Sequence, residues 1–376
     1  MTPGIVESSY PLQPLQRISA SRYALLRACE LREIWSVSSF PRHLPRHPLA
    51  VLGVVAHQLL EEGGRGLIPE GLTVAQRWDQ LAAAIDQEMS GSWIEAGIAP
   101  LQASAPFYEV VRTRTINRTV PFVSIARRRT GGGTFSKSGV GLEIWVESQD
   151  KAVGGRLDSA RKVNGQLILS DFKSGDVLDQ QSEAAELRVK ESFAVQLKLY
   201  AALYQDTFHM WPAKLEVTPL SGPSFDVPFT VAECTALLDE ARRLFTNLNA
   251  RISAAPSAPE LFASPSPNNC RFCSFRPACQ LYQDVVRTNP ESGRWPGDVF
   301  GEVWDMNLLR DGRMNLRIMS NHGNTRIVRS LSPSRHPALK AIQRGDHVGV
   351  FNVHSAAAGA DLSEGPLTTI FKLQKH

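Results

Sequence analysis

No apolar stretch in the 376-residue sequence is long enough to cross a bilayer; the longest, Leu49 to Leu60, is short and carries His57. No membrane helix is therefore expected. The N-terminus lacks a basic patch followed by an apolar core and a small-residue cleavage site, so a cytoplasmic location is the expectation. Cysteine is scarce, with five residues, which excludes a disulfide framework. Neither sign of charge dominates: 41 Lys and Arg stand against 37 Asp and Glu, a net charge of +4 that permits a nucleic-acid partner without requiring one. With 43% hydrophobic and 21% charged residues, disordered and collagen-like chains are excluded. Repeats of solenoid length are absent. ATP-binding motifs are absent too. The nearest match, Gly131 to Ser138 (GGGTFSKS), has Ser136 where the second glycine of a phosphate loop belongs. Arginines precede it and a strand-like run follows, the reverse of the strand-loop-helix order such a loop needs. It reads as a mobile basic loop, and any duplex unwinding would fall to a separate helicase.

The elements that are present alternate in character. Residues 19–35 read as one amphipathic helix containing Cys29, and Leu49 to Glu62 as a second. Between them lies a Pro/His/Arg stretch whose His43 and His47 are expected to be solvated. Val111 to Lys137 is the most basic segment, with Arg112, Arg114, Arg118, Arg127, Arg128 and Arg129. Short strands follow over 143–173, then a helix from Glu191 to Tyr204, strands at Lys214 to Leu220 and Ser224 to Phe229, and a helix near 230–253. In that helix Val231, Cys234, Leu238, Ala241, Phe245, Leu248 and Ile252 form a core stripe, with Cys234 as a small buried hydrophobe.

The segment GRLDSARKVNGQLILSDFKSG, residues 155–175, carries the sharpest local inference. Asn164-Gly165 is the favoured centre of a two-residue type I′ turn, because both positions need positive φ. Val163 then pairs with Gln166, and counting outward brings Asp158 opposite Asp171, their Cβ atoms about 5 Å apart. Like charges so placed destabilise a sheet, and a divalent cation with oxygen ligands is the natural compensation. Lys173, two residues past Asp171, projects from the same face and adds an ammonium. A charge-balanced surface hairpin is the alternative.

Gly155-x-x-Asp158 followed by Asp171-x-Lys173 resembles the core motif of the PD-(D/E)xK nuclease superfamily. Gly53 and His57 on an upstream helix, and Gln196 and Tyr200 (QLKLY) on a downstream one, resemble the helical histidine and the Q-x-x-x-Y motif of the RecB-type nucleases, in the expected order. Each pair shares a helix face. Gly53 would let its helix approach the sheet, and Glu61 continues the His57 face. The resemblance implies that His57, Asp158, Asp171 and the carbonyl of Phe172 hold Mg²⁺ or Mn²⁺, that Lys173 positions or activates water, and that Gln196 and Tyr200 position the DNA strand.

Cys270, Cys273 and Cys279 form C-x2-C-x5-C, with Cys29 far upstream. Four thiolates can hold zinc or a 4Fe-4S cluster, and the spacing leaves both open. One distant N-terminal cysteine plus a C-terminal triple resembles the iron–sulfur branch of the RecB-type nucleases, which includes the CRISPR-associated adaptation nucleases and the AddB-type subunits. That resemblance implies a 4Fe-4S cluster stapling the two ends of a nuclease domain, and it spans roughly residues 17–285.

The tail offers strands at Val299 to Leu308, Met314 to Met319, Thr325 to Leu331, His347 to His354 and Leu367 to Leu373, with a short helix at Pro337 to Gln343. That order looks like an OB-fold. Arg310, Arg313, Arg317, Arg326, Arg329 and Arg335 would suit a phosphate groove, and Trp304 or Phe351 base stacking.

The expected fold is thus α/β: a restriction-endonuclease-like mixed sheet flanked by helices, with an iron–sulfur module, over residues 1–292, and a C-terminal all-β OB-like domain over 293–376. The expected activity is metal-dependent hydrolysis of DNA phosphodiester bonds. Single strands or ends are favoured because no base-reading module is evident. The setting would be repair, CRISPR adaptation or antiphage defence, with a helicase or complex as partner. The rivals are a noncatalytic iron–sulfur DNA-binding or assembly subunit, and a zinc-stabilised single-strand binding protein.

Overall fold

A computed structural model describes residues 4, 6, 10–128, 140–179, 188–288, 295–320, 323–355 and 361–373. The glycine loop at 131–138 and the expected boundary at 292/293 lie outside the described residues. In chain order the N-terminal elements are β1 (Ile18–Ser19), α1 (Tyr23–Ala28), α2 (Glu30–Val37), α3 (Pro48–Arg65), α4 (Val74–Ser90), α5 (Leu101–Ser104) and α6 (Tyr108–Arg128). Then come β2 (Gly141–Glu147), β3 (Val153–Val163), β4 (Gln166–Lys173), α7 (Glu191–Phe208), β5 (Lys214–Pro219), β6 (Phe225–Asp226), α8 (Val231–Ala254), α9 (Pro267–Cys270) and α10 (Gln280–Thr288).

Asn164 and Gly165 have φ of 52° and 83°. Both fall in the left-handed region that a type I′ turn requires, and Val163 pairs with Gln166 as that turn dictates. The β3–β4 hairpin is the centre of a mixed sheet in the order β1-β3-β4-β5-β6, with β2 also paired to β3. β4 and β5 run parallel, as do β1 and β3, while β2–β3 and β3–β4 are antiparallel. Helices cover both sides. One core cluster joins Val153, Leu157, Leu169 and Val217 to Leu199 and Leu203 of α7 and Leu238 and Leu248 of α8. Another joins Phe172 and Leu220 to Val51, Leu52, Val55 and Leu59 of α3 and to Trp78 of α4. This is a mixed α/β architecture with a helix-flanked sheet, in keeping with a restriction-endonuclease-like fold.

Several expectations are corrected. The helix expected over 19–35 is broken at Cys29, which is extended (φ −159°, ψ 105°) between α1 and α2. His43 is not solvated: it is fully buried against Phe40 and Phe371, neither ring nitrogen has a hydrogen-bond partner, and burial drives its pKa down to about 4. His47 caps α3, its side chain accepting from the Leu49 amide at 3.3 Å ahead of Pro48 at the first helical position. The strand expected at Ser224 to Phe229 is only Phe225–Asp226. Part of the basic segment is the helix α6, which continues through Pro121. Cys234 is buried on the α8 stripe and its thiol is pushed up to about 11 by burial.

The C-terminal sheet comprises β7 (Val299–Leu308), β8 (Met314–Met319), β9 (Thr325–Leu331), β10 (His347–Phe351), β11 (His354–Ser355), β12 (Asp361–Ser363) and β13 (Thr369–Lys372). Its order is β11-β12-β9-β8-β7-β10-β13, antiparallel except that β12 runs parallel to β9. Phe351 is fully buried, edge-on to Phe300 and Phe371, so it cannot stack on a base, whereas Trp304 is half exposed. Arg329 pairs with Asp361 and Arg335 with Glu364, so these two arginines are already neutralised.

This sheet is bonded to the cysteine loop rather than laid beside it. Arg276, 2% exposed, donates to the carbonyls of Cys270 (2.8 Å) and Arg271 (3.1 Å) and to Asp298 Oδ2 at 2.8 Å. Asp298 also accepts from the Tyr282 hydroxyl at 2.7 Å and the Asn352 amide at 2.8 Å. Burial alone would lower the Arg276 pKa, but Asp298 outweighs it and holds the guanidinium charged. Asp298→Ala leaves that cation buried and unpaired, so it should destabilise the protein by about 3–5 kcal/mol in denaturant melts. A loss below about 1 kcal/mol would show that the pair does not join the C-terminal sheet to the cysteine loop.

Candidate active site

One edge of β3 is divided between two strands. β1 takes Val153 and Gly154, β4 takes Ser159 to Val163, and residues 155–158 between them face neither. The last ladder pair is Ser159 with Ser170, one step before Asp158 and Asp171. There the strands part, and Asp158 Oδ2 accepts the Phe172 amide at 2.6 Å in place of a backbone carbonyl. In the gap the Tyr200 hydroxyl donates to the Arg156 carbonyl at 2.7 Å, which satisfies an acceptor the missing ladder would strand. Gly155 leaves room for that contact, since a Cβ there would lie a tight 3.2 Å from the Tyr200 ring and hydroxyl.

Asp171 is 2% exposed. Gln196 Nε2 donates to its Oδ1 at 2.7 Å, and Lys173 Nζ lies 2.6 Å from its Oδ2 and donates to Gln196 Oε1 at 3.1 Å. The Lys173–Oδ2 approach is an ion contact outside hydrogen-bond geometry, so Oδ2 is buried with no hydrogen bond. The Lys173 ammonium also sits 4.8 Å from the centre of the Phe193 ring. Gln196 and Tyr200, expected to touch DNA, are turned inward in this structure, and their polar atoms serve Asp171, Lys173 and β3.

α3 brings His57 to the same cleft, which Asp158, Asp171, Lys173, Gln196 and Tyr200 also line. A Cβ at Gly53 would stand 2.9 Å from Ser174 Oγ, so glycine permits the close approach of α3 to the end of β4. Burial lowers the His57 pKa, with Asp171 opposing, which keeps the imidazole a neutral donor of the kind a metal takes. Asp158 titrates well above the ordinary carboxyl range because it is desolvated and faces Asp171.

Sequence reasoning missed a third carboxylate. Leu142 faces Ser159 and Ile144 faces Leu157, so Glu143 between them lies across from Asp158. Glu143, Asp158 and Asp171 thus form a row over three strands, with Glu61 of α3 nearby. Glu143 takes φ 53° and is pushed up to about 7, first by burial and then by Glu61. Arg156 lies 3.6 Å from both Glu61 and Glu143. A second cleft of about 750 Å³, lined by Gly53, His57, Glu61, Glu143, Asp158 and Ser174, opens beside this row. The signal was the alternation in GLEIWVE, which presents residues 143, 145 and 147 together.

The other four-residue set lies apart. Cys29, Cys270, Cys273 and Cys279 are free thiols, and desolvation raises the last three, Cys270 to about 12, with other thiols of the set adding to each shift. Asn269 Nδ2 donates to the Ala28 carbonyl at 2.7 Å, tying the Cys29 break to the cysteine loop. Among the described residues, no three His, Cys, Asp or Glu side chains are drawn closely enough to hold a metal ion as they stand. The donor chemistry nevertheless fits: two carboxylates and a neutral imidazole lining one cleft suit a hard divalent cation, and four thiols suit a softer centre.

Residues 17–280 match the family described as the PD-(D/E)XK nuclease superfamily. Among solved structures, one titled "Crystal structure of SSO0001" is similar at 13% identity and a TM-score of 0.24, covering 68% of this chain and 95% of that one. No curated protein matches.

Because Asp158 titrates high, the folded protein holds its proton more firmly than the unfolded chain does. Its contribution to stability is full below the ordinary carboxyl pKa of about 4 and is lost as pH rises through the higher folded value. Asp158→Asn keeps an oxygen for the Phe172 amide and removes the charge. In EDTA at pH 7.5 it should raise Tm, a gain on the order of 1 kcal/mol, and the gain should vanish near pH 4. A lower Tm at pH 7.5 would show that Asp158 is not under electrostatic strain.

Proposed function

This chain belongs to the PD-(D/E)XK nuclease superfamily, and we propose that it is a metal-dependent deoxyribonuclease of the RecB-type iron–sulfur branch, cutting single-stranded DNA or DNA ends. The observation that carries the reading is the buried Asp171 carboxylate, set in a cleft shared with Asp158 and His57 and held between Gln196 and the Lys173 ammonium. His57, Asp158, Asp171 and the Phe172 carbonyl are the proposed holders of Mg²⁺ or Mn²⁺, which when bound acidifies water and neutralises charge developing on the phosphate.

The chain's own groups do the rest. Asp171 and Gln196 fix the Lys173 ammonium, which keeps a donor for the attacking water or a phosphate oxygen. Gln196 holds Asp171 in one rotamer, and Tyr200 keeps β3 open at the gap; both are positioning residues. The row of carboxylates excludes a second anion except where a cation or Lys173 balances it, which directs the scissile phosphate to that end of the cleft.

For the cysteines we propose a 4Fe-4S cluster held by Cys29, Cys270, Cys273 and Cys279, a structural staple between the two ends of a nuclease domain spanning 1–292. The electrostatic influence of Cys29, Cys270 and Cys273 on Cys279 and the break of the α1–α2 helix at Cys29 support it. Residues 293–376 are proposed as an OB-like domain that tracks single strands; β7 flanked by β8 and β10, with β12 parallel to β9, supports that. A cytoplasmic protein acting with a separate helicase or a repair, CRISPR-adaptation or antiphage-defence complex fits this reading. No helix among the described residues is long and apolar enough to cross a membrane.

Asp158→Ala, Asp171→Ala and Lys173→Ala should each abolish cleavage of end-labelled DNA in Mn²⁺, and His57→Ala should raise the metal concentration required. Full activity in Asp158→Ala overturns the nuclease assignment.

Protein purified without oxygen should be brown and carry about four iron atoms per chain. Cys29→Ser should bleach it and Cys234→Ser should not. Stoichiometric zinc without iron would replace the cluster with a zinc site.

A further inference from the structure

The cleft that holds the carboxylates, about 370 Å³, is also lined by Arg17, Ser19, Trp145 and Gly154, none of which the reading above uses. Trp145 is the partner of Arg156 across β2–β3 and lies two residues, about 7 Å along the strand, from Glu143. Its side chain is 46% exposed. The ring stands half in water at the edge of a charged cleft, on the face of β2 opposite the buried Ile144 and Val146.

The indole is fixed in advance. Its Nε1 donates to Glu147 Oε2 at 3.2 Å, and the Arg17 guanidinium donates to the same oxygen at 3.2 Å. Arg17 also lies 4.9 Å from the indole ring centre, a cation–π contact. Any side chain at 154 would meet this clamp, since a Cβ there would lie 3.1 Å from Glu147 Cβ and 3.4 Å from Trp145 Cζ2. Arg17 covers the ring while paired with Glu147, and Arg156, the cross-strand partner of Trp145, is half exposed and lies 3.6 Å from Glu61 and from Glu143.

A pre-oriented aromatic ring backed by arginine is a surface for an unpaired base: every base has a π-face, and in a duplex that face is already covered by its neighbours. The geometry points to Trp145, clamped by Arg17 and Glu147, as the residue on which the unpaired base beside the scissile phosphate stacks, so that this site selects single-stranded over duplex nucleic acid. The inference rests on the nuclease reading of the adjacent carboxylates.

The test is binding of fluorescein-labelled dT12 and of a blunt 12-base-pair duplex to the full chain, by anisotropy, with Ca²⁺ in place of Mg²⁺. Trp145→Ala should weaken dT12 binding by about tenfold or more and leave the duplex unaffected, while Trp145→Phe should stay within about threefold of the parent. Saturating dT12 should quench intrinsic tryptophan emission less in Trp145→Phe than in the parent. Unchanged dT12 affinity in Trp145→Ala, or equal losses for dT12 and duplex, overturns the platform. If Asp158→Ala is inactive and Trp145→Ala still binds dT12 normally, the platform alone falls. If Asp158→Ala cleaves fully, the nuclease reading falls, whatever the binding shows.

Discussion

The division of one strand edge governs this structure. Along one edge β3 gives its two ends to different partners, β1 and β4, and residues 155–158 have no strand on that edge, while β2 runs along the other. An unpaired strand edge inside a protein is unstable unless other groups take over its hydrogen bonds. Here the side chains of Asp158 and Tyr200 do so, at the Phe172 amide and the Arg156 carbonyl. Chemistry becomes possible because the gap admits side chains and solvent where a continuous sheet would admit neither. His57 from α3 and Gln196 from α7 then reach the gap from separate elements.

A second constraint acts at the far end of the domain. The cysteine loop is built of short turns with little regular structure, and its backbone carbonyls converge on the Arg276 guanidinium. A buried cation so placed demands a buried anion, which Asp298 of the tail supplies together with bonds from Tyr282 and Asn352. One core cluster accordingly contains Cys270 and Tyr282 alongside Phe300, Phe351 and Phe371. The tail is therefore a structural neighbour of the cysteine site, and cutting the chain between them would expose this cluster and strand Arg276.

What was legible in the sequence was whatever a short range determines. Asn164-Gly165 fixed a turn, the turn fixed a register, and the register carried Asp158 to Asp171. Gly53 and His57, and Gln196 and Tyr200, came from the resemblance to the RecB-type nucleases; helical spacing showed only that each pair shares a face. The burial of His43 was hidden because it depends on Phe371, more than three hundred residues away, while its neighbours are prolines and arginines of loop character. The break at Cys29 was hidden because the residues on both sides are good helix formers, and only packing against the cysteine loop ends the first helix there. Glu143 and Trp145 required the register of β2 on β3, and their connection, residues 148–152, carries no Asn-Gly or Asp-Gly pair to announce it.

The spacing of Asp171 and Lys173 shows how packing and chemistry share one strand. Between them Phe172 points the other way, into the core with α3 and α6, its ring 6.0 Å from that of Phe122. Its amide is held by Asp158. The backbone at 172 is thus pinned from two directions, by apolar burial on one face and a charged acceptor on the other. The two functional side chains on either side of it inherit that rigidity. The ammonium of Lys173 is held between Asp171 and Gln196, contacts that offset the rotamer entropy lost in ordering a lysine. The carboxylate row, repulsive in isolation, persists because the strand that bears it is fixed by contacts on its opposite face.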